Sequence, residues 1–427
     1  MKKTMKNSIN QLNKIDTFSP YFFLPFILIL YFFISLFDFH RFELFNVSKS
    51  IWPVVILAIL SYYIGVYIID KKDWTLPSFG LSFLNKYVTW MIWLLGFIGA
   101  VAYFTMIIEG SIGLTDESVR RNLDPKLNFL SQLLWFGIIL LLSLKIMKEK
   151  NLTKLKIFSY AATYGVIMVL FLLMGYRTPI VIMLFTGLII SHYVIKKVNL
   201  TWFFSVLLVI GVFFSLFGFF RVISEDTSIK SNSQEQPEVV LTEVKAKELE
   251  TVEQKVNKVP KWIRSLNGES VTGHIVLSKI IEYTDENGYL YGEIHEGIFT
   301  TILPGEQTSP RMKVTEIVNS LSIEEGKFIT RPSRTTTPTY IGQLFLDGGY
   351  ILVASGFLIF GVVISLLYNQ VKREGHRSYQ AVAYAFVSTM FTISMHTGLL
   401  DLIFYLMIGF VILTSAIGTR KSTSLTL

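Results

Sequence analysis

Cysteine is absent from the 427-residue chain, and charged residues make up only 16% of it. The first absence excludes disulfides, thiolate zinc sites, iron–sulfur clusters and a cysteine nucleophile together. The second, set against 52% hydrophobic residues and a positive mean hydropathy, excludes an ordinary soluble domain. Lipid is therefore the solvent for most of the chain. No two histidines stand at the four-residue spacing of a helical metal site, so no metal centre is expected.

What is present is a series of long apolar runs. A bilayer core about 30 Å thick takes about 20 residues at helical rise. Segments 20–37, 51–69, 87–108, 127–144, 157–174, 179–195, 200–220, 349–368, 379–397 and 400–418 come close to that length. Backbone groups in lipid must be satisfied within the segment, and these runs lack the alternation of barrel strands. The expected fold is all-α and polytopic, with about ten transmembrane helices. The first run has no small-residue cleavage site before the next charged stretch, so it is expected to stay as a span.

Basic residues orient the chain. With the N-terminus in the cytoplasm, 19 of the 39 Lys and Arg fall in cytoplasmic segments, among them Lys71, Lys72, Lys145, Lys148, Lys196, Lys197, Lys372 and Arg373. The short segments opposite carry only Arg41, Lys49, Arg120, Arg121, Lys126 and Arg177. Such an excess holds loops in the cytoplasm, so both termini are expected inside. The formal net charge of +8 then reads as topology rather than as a nucleic-acid partner. The other 14 basic residues lie in a 128-residue loop, Arg221 to Gly348, expected outside. The expected organisation is a membrane domain over 1–220, a charged arm over 221–260, a folded external loop over 261–348, and a membrane domain over 349–427. Glu225 to Lys258 has no aromatic residue and carries Leu241, Val244, Leu249, Val252, Val256 and Val259 at roughly helical spacing. A solvated, partly helical arm is expected there, disordered near Ser231 to Gln236. Beyond Trp262, aromatics and glycines return, and Pro304, Pro310, Pro332 and Pro338 divide the loop into short elements.

Away from their ends the ten segments carry no Asp, Glu, Lys or Arg, whereas ion-coupled carriers place ionisable groups at mid-membrane. Candidate chemistry gathers at the segment ends. Met174-Gly175-Tyr176-Arg177-Thr178-Pro179 joins two segments almost without a loop; glycine supplies the turn and Pro179 opens the next helix. Arg177 suits two roles, snorkelling to lipid phosphates or a bidentate grip on a phosphate group held between helices. Arg221, after Phe219 and Phe220, is open to the same pair of readings. Lys327, Arg331 and Arg334 lie between Glu325 and Asp347 with no acidic residue among them, and Arg311 follows Pro310. This positive field suits an anionic headgroup or diphosphate, and a solvated basic stretch would have the same sequence. His396, five residues before Asp401, allows either a proton-handling pair or a hydrogen-bonded helix junction. His192 is expected to be an interfacial residue rather than a ligand.

These motifs and their order resemble the bacterial O-antigen and capsule repeat-unit polymerases. Gly175-Tyr176-Arg177 is similar to that family's Gly-x-Arg helix turn. Tyr291-Gly292 followed by Ile302-Leu303-Pro304 resembles its loop pattern, and Thr337 to Gly349, with Tyr340, Gly342, Asp347, Gly348 and Gly349, resembles the return to the membrane. The resemblance implies a glycosyltransferase of the bacterial inner membrane, without metal or cofactor, that joins undecaprenyl-diphosphate-linked oligosaccharides at the outer face. Membrane lipids, a chain-length regulator and a flippase would be its partners. It implies roles at the departing diphosphate for Arg177, Arg221 and the loop arginines Arg264, Arg311, Arg331 and Arg334. The base that takes the acceptor proton would come from Asp347, His274, His295 or Glu293, and Tyr291 and His396 would help bind substrate. O-antigen ligases share the layout but usually carry a histidine where this chain reads Thr335-Thr336-Thr337-Pro338-Thr339. Lipid-linked oligosaccharide flippases usually have more spans, basic cavity residues and no folded external loop. A scaffold that docks through the charged arm is a further reading. Deleting Ser231 to Lys258 separates it from an enzyme: polysaccharide length on a gel should survive the deletion in an enzyme and not in a docking protein.

Overall fold

The structure, a computed structural model, describes residues 16–36, 51–77, 85–110, 124–149, 151–208, 211, 268–300, 310–324, 336–375 and 378–417. Arg221, Arg264, Arg331 and Arg334, the charged arm, and most of the seventh apolar segment lie outside them. Every regular element among the described residues is helical: α1 (Phe23–Ile34), α2 (Ile51–Lys72), α3 (Asn85–Ile108), α4 (Pro125–Lys148), α5 (Lys154–Leu173), α6 (Thr178–Ile190, running into a π turn over Ser191–Ile195), α7 (200–208), α8 (Gly268–Asn287), α9 (Glu293–Thr300), α10 (Pro310–Glu324), α11 (Thr339–Glu374), α12 (Tyr379–Thr397) and α13 (Leu402–Ile417). Local chemistry sets their ends. Asp124 accepts from the N–H groups of Lys126 (2.7 Å) and Leu127 (3.2 Å) ahead of Pro125, and Thr153 accepts from Lys156 (3.4 Å). Gly175, at φ +72°, makes the tight turn between α5 and α6.

Six helices among the described residues are long and apolar enough to cross a membrane: α2, Lys86–Ile108 of α3, α4, α5, α6 with its π turn, and α11. The expected count of about ten is thus met only in part. α1 and α13, with 12 and 16 residues, fall short of the length a bilayer demands. α12 is long enough but carries Ser388, Thr389, Thr392 and Ser394, and it is buried along nearly its whole length. Its Thr389, Thr392 and Ser394 hydroxyls donate to carbonyls of their own helix, which removes the need for water. α12 is the axis of the bundle, packed on α11, α6, α13, α1 and α4.

Glycines let the long helices meet backbone to backbone. A Cβ on Gly65 of α2 would overlap the Leu358 carbonyl of α11, and one on Gly361 would overlap the Tyr62 carbonyl. Gly99 and Gly137 make the same close approach between α3 and α4. Without a hydrophobic driving force between helices in lipid, such contact is a main source of association.

α11 is not one straight rod. Gly348 (φ −162°, ψ 21°) and Gly349 (φ 60°, ψ −147°) leave helical geometry, and Gly349 occupies a region open in effect to glycine alone. The chain doubles back there. Tyr340 stacks on Phe360, ring centres 4.4 Å apart, although about 30 Å would separate them on a continuous helix. The Leu344 side chain packs against Gly356. The expected start of the eighth span at Gly349 agrees with this bend. The nine residues before Gly348, Thr339 to Asp347, expected within the external loop, form a helical arm folded along the span. Phe360 in turn lies flat against Phe391 of α12 (3.6 Å, 2°), which ties the folded arm to the bundle axis.

Gly65→Leu or Gly361→Leu should lower stability by about 1–3 kcal/mol or more through forced separation of α2 and α11. Gly409→Leu, with nothing within 4 Å of its Cβ position, should have little effect. Thermal unfolding in detergent micelles measures both.

Candidate active site

The bend in α11 places Asp347 against a short helix. Tyr291 (φ 50°) and Gly292 (φ 100°) turn the chain into α9, and the Leu290 N–H donates to the Leu346 carbonyl at 2.9 Å. The Asp347 carboxylate has no exposed surface. It accepts from the Ile294 N–H (3.1 Å) and the His295 N–H (3.1 Å), so it caps α9 from a distant part of the chain. The same carboxylate bonds His295 Nδ1.

Gln343 lies one turn before Asp347 and is fully buried. Its Oε1 accepts from the Leu399 N–H at 2.7 Å and its Nε2 donates to the Leu399 carbonyl at 3.1 Å, which fixes the amide's orientation. The same Nε2 is 3.4 Å from His295 Nε2, a loose contact. With a carboxylate at Nδ1 and an N–H donor near Nε2, the partners assign the proton to Nδ1 and the lone pair to Nε2.

Two ion pairs flank this group. Arg311, in the first turn of α10, donates from Nη2 to Asp401 at 2.6 Å, two residues beyond Leu399. Tyr176, the neighbour of Arg177, lies within electrostatic reach of that guanidinium. The Asp401 charge, more than Tyr176, holds the Arg311 pKa up. Lys313, half a turn on, pairs with Glu293 at the start of α9. Thr315 accepts from the Thr336 N–H at 2.7 Å, which anchors the lead-in to the folded arm. A continuous run of contacts therefore joins Asp347, His295, Gln343, the 399–401 junction and Arg311.

The other sequence candidates fall around this run. Arg177 is partly buried at the start of α6. Tyr291 is 86% exposed beside α9. His396 Nδ1 is 3.0 Å from Tyr31 Oη of α1, while Asp401 receives Arg311. His274 is buried elsewhere: Nδ1 is 2.7 Å from Ser35 Oγ, with Phe32 and Trp52 edge-on to its ring. Burial pushes its pKa down to about 4.

The opposite end of the bundle holds a second polar cluster. Asp16 accepts from Tyr368 (2.7 Å), Tyr193 (3.0 Å) and the Phe18 N–H (3.1 Å), with His192 Nε2 at 3.1 Å. Burial alone would raise the Asp16 pKa, but the bonds from His192 and Tyr368 outweigh it and hold it at about 2. His192, expected at an interface, is 2% exposed, and its Nδ1 accepts from the Val198 N–H at 2.9 Å. Sequence reasoning missed Asp16 and Gln343. A lone glutamine in the apolar run Tyr340 to Leu346 was the available signal for the second.

Fold and site together define a multi-pass helical membrane protein with a buried carboxylate, a histidine and an arginine gathered at one end of the bundle. The family described as "Putative O-antigen polymerase" matches residues 16–239 and 270–408, and the chain belongs to it. Membership places the protein in polysaccharide biosynthesis. Neither the curated proteins nor the solved structures give a match.

The two shifted groups predict separate pH windows. His274 resists protonation when folded, so stability should decline as pH falls from about 6.5 towards about 4 and then level off. His274→Gln should flatten that limb. Asp16 contributes stability that is present above about 3.8 and lost as pH falls towards about 2. Asp16→Asn should leave the upper limb intact, as read by thermal unfolding against pH.

Proposed function

We propose that the protein joins undecaprenyl-diphosphate-linked oligosaccharide repeat units into a long surface polysaccharide at the outer face of the bacterial cytoplasmic membrane. Family membership supports the product class, and the excess of lysine at the opposite end supports the orientation. The observation that carries the reaction is the convergence of Arg311, the Tyr176–Arg177 turn and the His295–Asp347 pair at one end of the bundle. Glycosyl transfer from a lipid diphosphate needs cationic groups where negative charge develops on the leaving group, and a base near the acceptor hydroxyl. Arg311 and Arg177 serve the first need. Asp401 keeps Arg311 compensated and aimed while the site is empty, and a diphosphate then shares its donors. From the sequence alone we assign the same role to Arg221, Arg264, Arg331 and Arg334, and glycan binding to Tyr291 and His396. Pre-organised donors are worth most where water is excluded, as between helix ends.

Arg177→Ala and Arg311→Ala should each reduce long-chain polysaccharide about a hundredfold or more while protein level is unchanged. Normal chain length in either variant would remove that residue from the site. Cells without the gene should accumulate single repeats on the lipid carrier at the outer face. Accumulation at the inner face would instead identify a flippase.

A further inference from the structure

The four side chains that the sequence nominates as the base, Asp347, Glu293, His274 and His295, differ in their surroundings. Asp347 has no exposed surface, and its oxygens are engaged by two backbone N–H groups and the His295 ring. Glu293 is half exposed and paired with Lys313. His274 is closed in by Ser35, Phe32 and Trp52. Of these four, His295 alone combines a buried carboxylate at one ring nitrogen with a partly exposed side chain, 29%. Among the described residues, its Nε2 meets only the loose 3.4 Å approach of Gln343, an amide already satisfied by Leu399.

We infer that His295 is the general base of the glycosyl transfer, with Asp347 and Gln343 as its positioning residues. The inference rests on the polymerase reading above and deepens it. In the step, the acceptor sugar's O–H bond breaks and its proton passes to His295 Nε2. The freed electron pair on that oxygen forms the new bond to the anomeric carbon of the lipid-linked chain. The bond from that carbon to the diphosphate oxygen breaks, and its electron pair leaves with the diphosphate beside Arg311. Asp347 stabilises the imidazolium so formed and holds the ring to the Nδ1–H tautomer. Gln343, held by Leu399, stands between the ring and the 399–401 junction and limits where the ring can lie relative to Arg311. Charged groups on the elements around the ring include Asp347 from α11, Glu293 and Glu296 on α9, Arg311, Lys313 and Glu316 on α10, and Asp401 before α13.

The test uses the full chain in vesicles of phosphatidylethanolamine and phosphatidylglycerol, with lipid-linked single repeats extracted from cells lacking the gene. The wild type should elongate them. His295→Ala should slow elongation by about a hundredfold or more, and added imidazole should restore at least about tenfold of that loss. Asp347→Asn should lower kcat with little change in KM, since it alters the base and not the diphosphate contacts. Circular dichroism and gel filtration verify that each variant is folded, and His295→Gln, close in size, repeats the loss without a cavity. Elongation by His295→Ala within about twofold of wild type would overturn the inference. So would a folded but inactive variant that imidazole does not rescue, which would make His295 a structural tie of α9. A wild type that elongates nothing would instead overturn the polymerase reading, and the inference with it.

Discussion

A carboxylate without exposed surface has to be met by donors, or it destabilises the fold that buries it. Asp347 is met by three: two backbone N–H groups that open α9, and the His295 ring. The helix start needs an acceptor as much as the carboxylate needs donors, so a single arrangement satisfies both. Much of the site depends on that exchange. It docks α9 onto the folded arm of α11, orients His295, and through the Glu293–Lys313 pair sets α10, which delivers Arg311 to Asp401.

The bend that presents Asp347 is held by packing. Gly349 has a backbone that other residues adopt only with strain, and a Cβ there would overlap the Tyr289 ring. The folded arm lays Tyr340 on Phe360 and Leu344 beside Gly356, and Phe360 lies against Phe391 on the bundle axis. Aromatic stacking and glycine contacts thus turn a nine-residue segment into a rigid mount. Irregular backbone at membrane depth is tolerated where protein covers it, and Gly348 and Gly349 meet that condition by contacts with Leu352 and Tyr289.

The two ends of the bundle contrast in chemistry. One holds Asp16 among Tyr193, Tyr368 and His192, with 23% of its side chain exposed. The other has partners left partly exposed: Arg311 at 26% and His295 at 29% of their side chains. A satisfied cluster fastens helices together.

Apolar run length and the absence of charge from the run interiors determined by themselves that the chain is all-helical and lives in a membrane, because lipid leaves the backbone no other choice. Short motifs were enough to place it beside the polymerase family to which it belongs, and Gly175 and Pro179 marked their turn and helix start correctly. The number of complete spans was less legible, since burial of α12 and the shortness of α1 and α13 depend on neighbours. Asp347 stood out in the sequence by its place before two glycines, but its partner His295 lies 52 residues away. The pairing of Arg311 with Asp401 spans 90 residues. Only the tertiary structure decided these, and the fold-back of Thr339 to Asp347, because composition and periodicity report what each segment must bury, whereas contacts between distant segments depend on how those faces are packed together.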